Sequence, residues 1–296
     1  MIAAMSSTAQ KIPIHIVCGP TASGKSAKAI EMAETLNGVI INCDSQQIYN
    51  GLPIIGAQPP QEDLERVPHK LYAHLHPNEV CSAGNWREIA LPVIKNVIEQ
   101  DKTPIICGGT GLYIKALIDG LSPMPDIPDQ VRQKVVKRYE QLGAETFYKE
   151  LQDKDPIMAE RFHVNHKARI IRAMEVIEAT GKSLSEWQKL PRDKPPENWD
   201  FKITKVLPSR EDLYKRCNQR FDLMMDMGAL EEAQHFHERI ISGEINENVP
   251  FAKALGFKQL RMYITGEWSL DFAIERAKAD TRHYAKRQNT WFTNQI

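Results

Sequence analysis

The chain has 296 residues, of which 42% are apolar and 26% are charged. These values are typical of a globular protein with one large or two smaller domains, and they exclude collagen-like, coiled-coil and wholly disordered chains. Lys plus Arg and Asp plus Glu both number 38, so the net charge is zero, which taken alone argues against a nucleic-acid-binding protein.

Short apolar segments alternate with helical segments along the first part of the chain. Residues 12–18 are typical of a buried strand, 27–36 of a helix and 39–43 of a second strand. A third strand is predicted at 103–107, a helix at 112–117 and a returning strand at 203–207. This alternation predicts an α/β fold with a mostly parallel sheet flanked by helices.

Two proline-rich stretches, 122–128 and 191–196, enclose a segment with helical periodicity. Within it, Ser183 and Glu186 have the spacing of a capping box, which indicates a helix start. We therefore predict an inserted all-helical domain at 125–198, between the two parts of an α/β core at 1–124 and 199–296 that ends in helices.

Five cysteines contain no C-x-x-C pair, and their number is odd: Cys18, Cys43, Cys81, Cys107 and Cys217. This favours buried thiols in a reducing compartment over a disulfide framework or a zinc site. No apolar run reaches the length of about 18 residues that a membrane helix needs, and the first residues lack the apolar segment of a signal peptide. We expect no membrane segment and a cytoplasmic location.

A glycine-rich motif follows the first predicted strand. The segment Gly19-Pro-Thr-Ala-Ser-Gly-Lys-Ser26 matches G-x-x-x-x-G-K-[ST] and lies between a strand and a helix, as a phosphate loop requires. Backbone N–H groups and the helix N-terminus would bind phosphate oxygens, the lysine would supply a positive charge, and the Ser26 hydroxyl is placed for Mg²⁺. The predicted diphosphate- or nucleotide-binding residues are Gly19, Pro20, Thr21, Ala22, Ser23, Gly24, Lys25 and Ser26.

Asp44 is the acid that follows the second predicted strand. The strand at 103–107 ends in Gly-Gly-Thr, where an NTP hydrolase usually carries a magnesium-binding acid. Because ligands bind beyond the carboxyl ends of parallel strands, Asp44 is expected in the site. It could hold Mg²⁺, act as a base towards an incoming nucleophile, or cap a helix.

Six sequence blocks together resemble the tRNA dimethylallyltransferase family, also called tRNA isopentenyltransferases. They occur in the family's order across nearly the whole chain: the phosphate loop, Asn42-Cys-Asp-Ser-Gln-Gln47, Cys107-Gly-Gly-Thr-Gly-Leu-Tyr113, Arg172-Ala-Met-Glu-Val176, Gly181-Lys-Ser183 and Tyr284-Ala-Lys-Arg-Gln288. The resemblance implies a P-loop NTPase-like core, a requirement for Mg²⁺, and transfer of a dimethylallyl group from dimethylallyl diphosphate to the exocyclic N6 amine of the adenosine 3′ of the anticodon in tRNA. Pyrophosphate would be released.

The same resemblance implies roles for particular residues. Asp44 would accept the proton of the attacking amine, and Thr110 would lie beside the substrate. Arg220 could pair with the diphosphate, with Arg216 one helical turn earlier as the other candidate, although either could be a surface charge. The implied tRNA contacts are Asp44, Ser45, Gln46, Gln47, Thr110, Arg132, Ala168, Arg169, Ile170, Ile171 and Arg172.

A tRNA substrate needs local positive charge even in a chain of zero net charge. Arg169 and Arg172 lie three residues apart on a predicted helix and so share a face. The last predicted helix carries basic residues interleaved with Tyr284 and Trp291, a pattern that suits phosphates and stacked bases but also an ordinary solvated face. Its basic residues are Arg276, Lys278, Arg282, Lys286 and Arg287.

Three functions are compatible with these patterns. The leading prediction is a monomeric prenyltransferase acting on tRNA. The alternatives are a small-molecule kinase that uses ATP and Mg²⁺ and a nucleotide-dependent RNA-binding module without catalysis. The absence of an acid after the strand at 103–107 argues against the kinase. The segment 42–47, which contains Asp44, argues against an RNA-binding module without catalysis.

Overall fold

The computed structural model describes residues 11–296, and over this range it contains one five-stranded, all-parallel sheet. The spatial order of the strands is β3-β2-β4-β1-β5. Their bounds are β1 Ile12–Cys18, β2 Gly38–Asn42, β3 His69–Lys70, β4 Thr103–Gly108 and β5 Trp199–Lys205. The predicted α/β class with a parallel sheet is confirmed.

Twelve α-helices and one short 3-10 helix, Pro250–Lys253, accompany the sheet within the described range. The helices of the α/β part are α1 Lys25–Leu36, α2 Gln61–Arg66, α3 Ala83–Glu99, α4 Gly111–Asp119, α9 Arg210–Asp226, α10 Ala229–Ile241, α11 Phe257–Ile264 and α12 Leu270–Gln295. Those of the insertion are α5 Asp129–Lys154, α6 Pro156–Arg161, α7 Lys167–Thr180 and α8 Leu184–Gln188. None of these helices is both long and apolar enough to cross a membrane.

The central strands are covered on both faces, which explains their continuous apolar sequences. Every residue of β2 is buried, and Ile16, Ile41 and Ile106 on neighbouring strands are fully inaccessible to solvent. Strands buried on both faces read as apolar runs rather than as alternating patterns. This is why the sequence located β1, β2 and β4 to within one residue at each end.

The two outer strands were less visible in the sequence. The two-residue β3 was not predicted, and β5 begins four residues before the predicted start and ends two residues before the predicted end. As an edge strand, β5 keeps Lys202, Ile203 and Lys205 exposed. Because it contains polar residues, its first part lacks the continuous apolar pattern from which the other strands were predicted.

The chain divides into two compact units, and the second comprises Asp119–Pro195. The predicted insertion, 125–198, begins six residues later and ends three residues later. Leu121 pairs with Asp193 in an antiparallel bridge, and the Asp193 N–H donates to the Leu121 carbonyl at 2.8 Å. Because of this contact between the two ends of the insertion, residues that precede the first proline-rich stretch belong to the helical unit.

The helical unit has its own core, in which Phe147, Leu151, Ile170 and Met174 are fully buried. Helix α8 begins as its sequence predicts, because the Ser183 hydroxyl accepts from the Glu186 N–H at 3.3 Å. The Ser183 N–H in turn donates to the Glu186 carboxylate at 2.7 Å. Each capping bond satisfies a backbone or side-chain group that the helix end would otherwise leave unpaired.

Glu178 is the centre of a cluster of cations in this unit. Its carboxylate lies 3.0 Å from Lys154, 3.3 Å from Arg138 and 3.9 Å from Lys134, and the hydrogen bond from Lys154 is the main cause that lowers its pKa. A lowered folded-state pKa contributes stability above the unfolded pKa of about 4.5. That stability is lost as the pH falls through the folded value. Acid titration of unfolding should therefore show a smaller loss of stability below pH 4.5 for Glu178→Gln than for the wild type, and equal losses would contradict the assignment.

Candidate functional site

The predicted phosphate loop connects β1 to α1 at the carboxyl edge of the sheet. Gly24 has φ 93° and precedes the first residue of α1, Lys25. That left-handed conformation is costly for residues with a Cβ atom, so the second glycine of the motif is needed where it stands. The loop thus leads directly into the N-terminus of α1. The helix dipole would stabilise a phosphate group bound at that position.

Two arginines of α9 contact this loop. The Arg220 Nη1 donates to the Thr21 hydroxyl at 2.9 Å, and the Arg216 Nη1 donates to the Ser23 carbonyl at 3.1 Å. Burial lowers the pKa of the Arg220 guanidinium, and the charge of Asp44 acts in the opposite direction. Both candidates for the diphosphate arginine therefore lie at the loop, and Arg220 is the one that also lines the adjoining cavity.

Lys25 has 8% of its surface exposed, and its ammonium group donates to the Pro20 carbonyl at 3.3 Å. Burial lowers its pKa, while the charge of Asp44 raises it. Ser26, the next residue, is exposed and lines the cavity. The buried Ser23 hydroxyl has no hydrogen-bond partner among residues 11–296.

Asp44 lies in a turn after β2 that its own side chain helps to form. The Asp44 Oδ1 accepts from the Gln46 N–H at 2.9 Å, and the Asn42 Oδ1 accepts from the Asp44 N–H at 2.9 Å. No α-helix follows, so the helix-cap alternative is replaced by a local turn. The second carboxylate oxygen, Oδ2, forms no hydrogen bond within residues 11–296 and is available to a ligand.

Thr110 lies beside this turn, after β4. Its hydroxyl oxygen accepts from the Ser45 N–H at 2.9 Å and donates to the Ser45 hydroxyl at 3.2 Å, while the Thr110 N–H donates to the Cys43 carbonyl at 3.2 Å. Thr110 is not among the residues that line the cavity. In this arrangement it positions the turn that carries Asp44.

A cavity of about 310 Å³ opens beside the loop, and both polar and apolar side chains line it. Thr21, Lys25, Ser26, Asp44 and Arg220 form the polar part next to the loop, and Lys253 and Arg287 are further charged lining residues. Side chains that the sequence did not single out form the apolar part: Leu52, Ile55, Phe221, Met224, Phe251 and Leu255. A cavity that combines charged groups with apolar walls suits a small ligand with an anionic head and a hydrocarbon tail.

Gln46 and Gln47 line the same cavity but differ in their availability. The Gln46 side-chain oxygen is buried and has no partner among the described residues, whereas the Gln47 side-chain amide donates to the Ala57 carbonyl. The Gln46 amide oxygen can therefore accept from a bound ligand.

Glu232 supports the segment that contains Ile55, since its carboxylate accepts from the N–H groups of Ile54 and Ile55 at 2.7 and 2.8 Å.

Gln288 of α12 is a site residue to which the sequence gave no role, although it belongs to the block 284–288. It is 7% exposed. Its side-chain oxygen accepts from the Thr21 N–H at 2.8 Å, and its side-chain nitrogen donates to the Gly109 carbonyl at 2.8 Å. One amide thus joins the phosphate loop to the turn that carries Thr110.

Gln288→Met should lower the free energy of unfolding by about 1–3 kcal/mol, because the buried Gly109 carbonyl and the half-buried Thr21 N–H lose their partner. It should also raise the concentration of pyrophosphate needed for half-maximal inhibition, since the loop loses its anchor. Urea unfolding and inhibition assays would measure both, with Thr293→Met on the exposed face of the same helix as the control. A variant as stable as the wild type would contradict this bridging role.

The predicted tRNA contacts of the helical unit have different exposures. Ala168 and Arg169 are exposed and Arg172 is partly exposed, 3.4 Å from Glu175. The side chains of Ile170 and Ile171 are 0% and 8% exposed in the core of this unit, so they are not available for contact with RNA. Arg132, at 45% exposure, lies 3.7 Å from Asp129.

Taken together, the parallel sheet and the loop between β1 and α1 define a protein with a P-loop NTPase-like fold. The model of the family described as IPP transferase matches residues 47–295. The chain belongs to the IPP transferase family.

Individual relatives agree with this membership. A protein named tRNA dimethylallyltransferase from Nitrobacter hamburgensis is 45% identical over 95% of this chain and 87% of its own length, and one of the same name from Ehrlichia canis is 43% identical over 96% and 92%. The full-length tRNA isopentenylpyrophosphate transferase of Bacillus halodurans is 31% identical, with a TM-score of 0.66 over 97% of this chain and 88% of that one. A eukaryotic dimethylallyltransferase described as acting on tRNA is 28% identical, with a TM-score of 0.80 over 95% of this chain and 69% of that one.

Proposed function

We propose that the protein transfers a dimethylallyl group from dimethylallyl diphosphate to the exocyclic N6 amine of the adenosine 3′ of the anticodon in tRNA, and releases pyrophosphate. The observation that carries the proposal is the single cavity that joins Lys25, Asp44 and Arg220 to apolar walls. The names of the relatives support the tRNA substrate and the transferred group.

The polar residues of the cavity beside the phosphate loop are suited to the diphosphate. Lys25, Arg220 and the N-terminus of α1 would bind its oxygens and stabilise the negative charge that develops as the allylic C–O bond breaks. The five-carbon group would lie against the apolar side chains, such as Phe221 and Met224. Because the diphosphate is a leaving group, this reaction needs no acid that activates water.

Asp44 is proposed as the base. As the adenine nitrogen forms its bond to the allylic carbon, its proton passes to the carboxylate, and pyrophosphate leaves with the electrons of the C–O bond. Oδ1 is held by the Gln46 N–H, which leaves Oδ2 to accept the proton. Thr110 holds the neighbouring Ser45 in place, and the free amide oxygen of Gln46 can accept from the target base.

Mg²⁺ is proposed as the cofactor. The exposed Ser26 hydroxyl at the cavity fits it, because magnesium in such loops is bound through few protein ligands together with phosphate oxygens. Residues 11–296 contain no cluster of three or more His, Cys, Asp or Glu side chains that would bind a metal by themselves. When bound, Mg²⁺ would neutralise part of the diphosphate charge.

The kinase alternative is less well supported. The family relatives are named as transferases acting on tRNA, and β4 ends in Gly-Gly-Thr where a magnesium-binding acid would be expected. The apolar walls of the cavity also offer few polar partners to a ribose and a third phosphate. We propose further that the protein acts as a monomer and works in the cytoplasm.

Incubation of the protein with a tRNA transcript, Mg²⁺ and radiolabelled dimethylallyl diphosphate would test the proposal. Label should appear in tRNA that carries adenosine 3′ of the anticodon and not in a transcript with guanosine there. Folded protein that transfers no label to the adenosine transcript would overturn the proposal. ATP consumption with a small acceptor would instead favour a kinase.

Replacement of both Arg169 and Arg172 with Ala should weaken tRNA binding and flatten its salt dependence. Each phosphate contact contributes about 0.7–0.9 to the slope of log K against log salt, so two contacts would contribute about 1.4–1.8. Lys137→Ala with Lys149→Ala removes the same charge from the exposed surface of α5 and should change the slope less. Filter binding at several salt concentrations measures this, and an unchanged slope in the arginine variant would contradict contact with phosphates.

A further inference from the structure

Part of the apolar wall of the cavity is a single helical turn, residues 52–58, which we call the wall segment. Within it, the Gly56 N–H donates to the Leu52 carbonyl at 2.8 Å. Leu52 and Ile55 are 1% and 7% exposed, and both line the cavity. Because an isolated turn is unstable by itself, its position depends on the groups that hold it from outside.

The C-terminal end of the wall segment is attached to the chain that follows Asp44. The Gln58 side-chain nitrogen donates to the Gln47 carbonyl at 2.8 Å and to the Tyr49 carbonyl at 3.0 Å. The Gln47 side-chain amide donates in turn to the Ala57 carbonyl. This end of the segment is thus fixed relative to the turn that carries Asp44.

Glu232 of α10 holds the other end of the wall segment. Its two carboxylate oxygens accept from the N–H groups of Ile54 and Ile55 at 2.7 and 2.8 Å, although Glu232 lies 177 residues from Ile55 along the chain. N–H groups at the start of a helical turn have no partner within it. Burial raises the pKa of Glu232, and the hydrogen bonds from Ile55 and Ile54 lower it. The two N–H groups therefore stabilise the carboxylate, and the carboxylate determines where they lie.

The Ile55 side chain is also confined by Gly256 and Phe221. A Cβ atom added at Gly256 would lie only 3.0 Å from the Ile55 Cγ2 and 3.3 Å from the Phe221 Cε2. Glu232 thus holds Ile55 through its backbone, and close packing holds its side chain. A wall residue fixed in both ways has little freedom to yield to a larger ligand.

We infer that Glu232 is a positioning residue that sets the width of the apolar part of the cavity, so that a five-carbon allylic diphosphate binds in preference to a longer one. Glu232 is not among the lining residues, so it acts through the wall segment. An apolar pocket selects by the fit of its walls, and a single CH₂ group changes its preference by about 10–200-fold. The inference rests on the proposed function, which supplies the five-carbon substrate.

Glu232→Gln tests this role, because the amide keeps the size of the side chain and one acceptor oxygen but places an NH₂ group against the second N–H donor. The Kd for dimethylallyl diphosphate with Mg²⁺ should rise by about four- to fifteenfold, the loss of contact with one or two CH₂ groups. The Kd for geranyl diphosphate, which has ten carbons, should not rise, so the preference for the shorter ligand narrows by the same factor. The Kd for pyrophosphate, which has no hydrocarbon, should stay unchanged. Titration calorimetry measures all three.

Glu231→Gln is the matched control, since it removes the same charge from the neighbouring, exposed position in the first turn of α10. It should leave the three dissociation constants unchanged. Ile55→Val tests whether Glu232 acts through the wall segment. In the Ile55→Val background, Glu232→Gln should raise the Kd for dimethylallyl diphosphate by a smaller factor than in the wild type, because the two substitutions weaken one contact.

The inference is overturned if Glu232→Gln changes the affinities for the two allylic diphosphates equally or not at all, or if the wild type binds both equally well. If Glu232→Gln does not fold, Glu232→Asp, whose carboxylate is one CH₂ group shorter, is held to the same three measurements. Wild-type protein that binds dimethylallyl diphosphate but transfers no label to tRNA would contradict the proposed function instead. The binding and transfer assays thus separate the two failures.

Discussion

Asp44→Asn should lower the rate of the chemical step by about 10²–10⁴-fold, the range that general acid–base groups contribute. Asparagine has nearly the same shape and keeps an oxygen that can accept from the Gln46 N–H, so the turn should persist. What it lacks is the second carboxylate oxygen as a proton acceptor. Single-turnover transfer of label, with both substrates saturating, measures this step.

In the Asp44→Asn variant, the binding of tRNA and pyrophosphate should change much less than the rate of the chemical step. The affinity for tRNA should remain close to that of the wild type, because one carboxylate in a cavity contributes little to a large RNA interface. Pyrophosphate should inhibit at equal or lower concentration, since the negative charge that acts on Lys25 and Arg220 is removed. Asp271→Asn, which neutralises an exposed acid in the first turn of α12, serves as the control. Near-normal turnover of Asp44→Asn would show that Asp44 is not the base.

Lys25→Met should lower kcat by about 10²–10³-fold, comparable to the loss of one donor that stabilises a developing negative charge. Methionine fills a similar volume but carries no charge to the departing pyrophosphate. Because burial of the ammonium group is unfavourable, the free energy of unfolding should be unchanged or higher in this variant. Steady-state kinetics and urea unfolding would measure the two effects.

Lys28→Met is the matched control for this substitution. Lys28 lies three residues further along α1, on the outer surface, where it pairs with Glu31 at 2.8 Å. An exposed pair of this kind contributes little to stability. Equal activity of the two variants would contradict the role of Lys25, whereas loss of activity only in Lys25→Met would support it.

The contacts of Gln288 illustrate a limit of reasoning from sequence. Gln288 lies 267 residues from Thr21 and 179 residues from Gly109 along the chain, yet its side chain joins the two. Its position three residues after Ala285 and four before Phe292 places Gln288 on the apolar face of α12, but the local sequence does not indicate which loops that face meets. The resemblance marked the block 284–288 without giving a reason for its glutamine.

The basic residues of α12 also show what the sequence alone does not determine. In the sequence, Arg276, Lys278 and Lys286 look alike. Arg276 pairs with Asp280 one helical turn away and Lys278 pairs with Asp222 of α9, whereas Lys286 is exposed and forms no ion pair within residues 11–296. Similarly, Ile170 and Ile171 belong to a segment expected to contact tRNA, but their side chains complete the core of the helical unit.

The sequence by itself determined the parallel α/β core, the phosphate loop, the helical insertion and the membership of the family. These features depend on local rules: apolar runs form buried strands, a fixed glycine spacing forms the loop, and a capping box starts a helix. Only the tertiary structure decided which arginine faces the cavity, where the apolar walls lie, how Gln288 links two loops and which basic residues are unpaired. Each of these depends on contacts between residues far apart in the chain, and such contacts form only when the helices pack on the sheet.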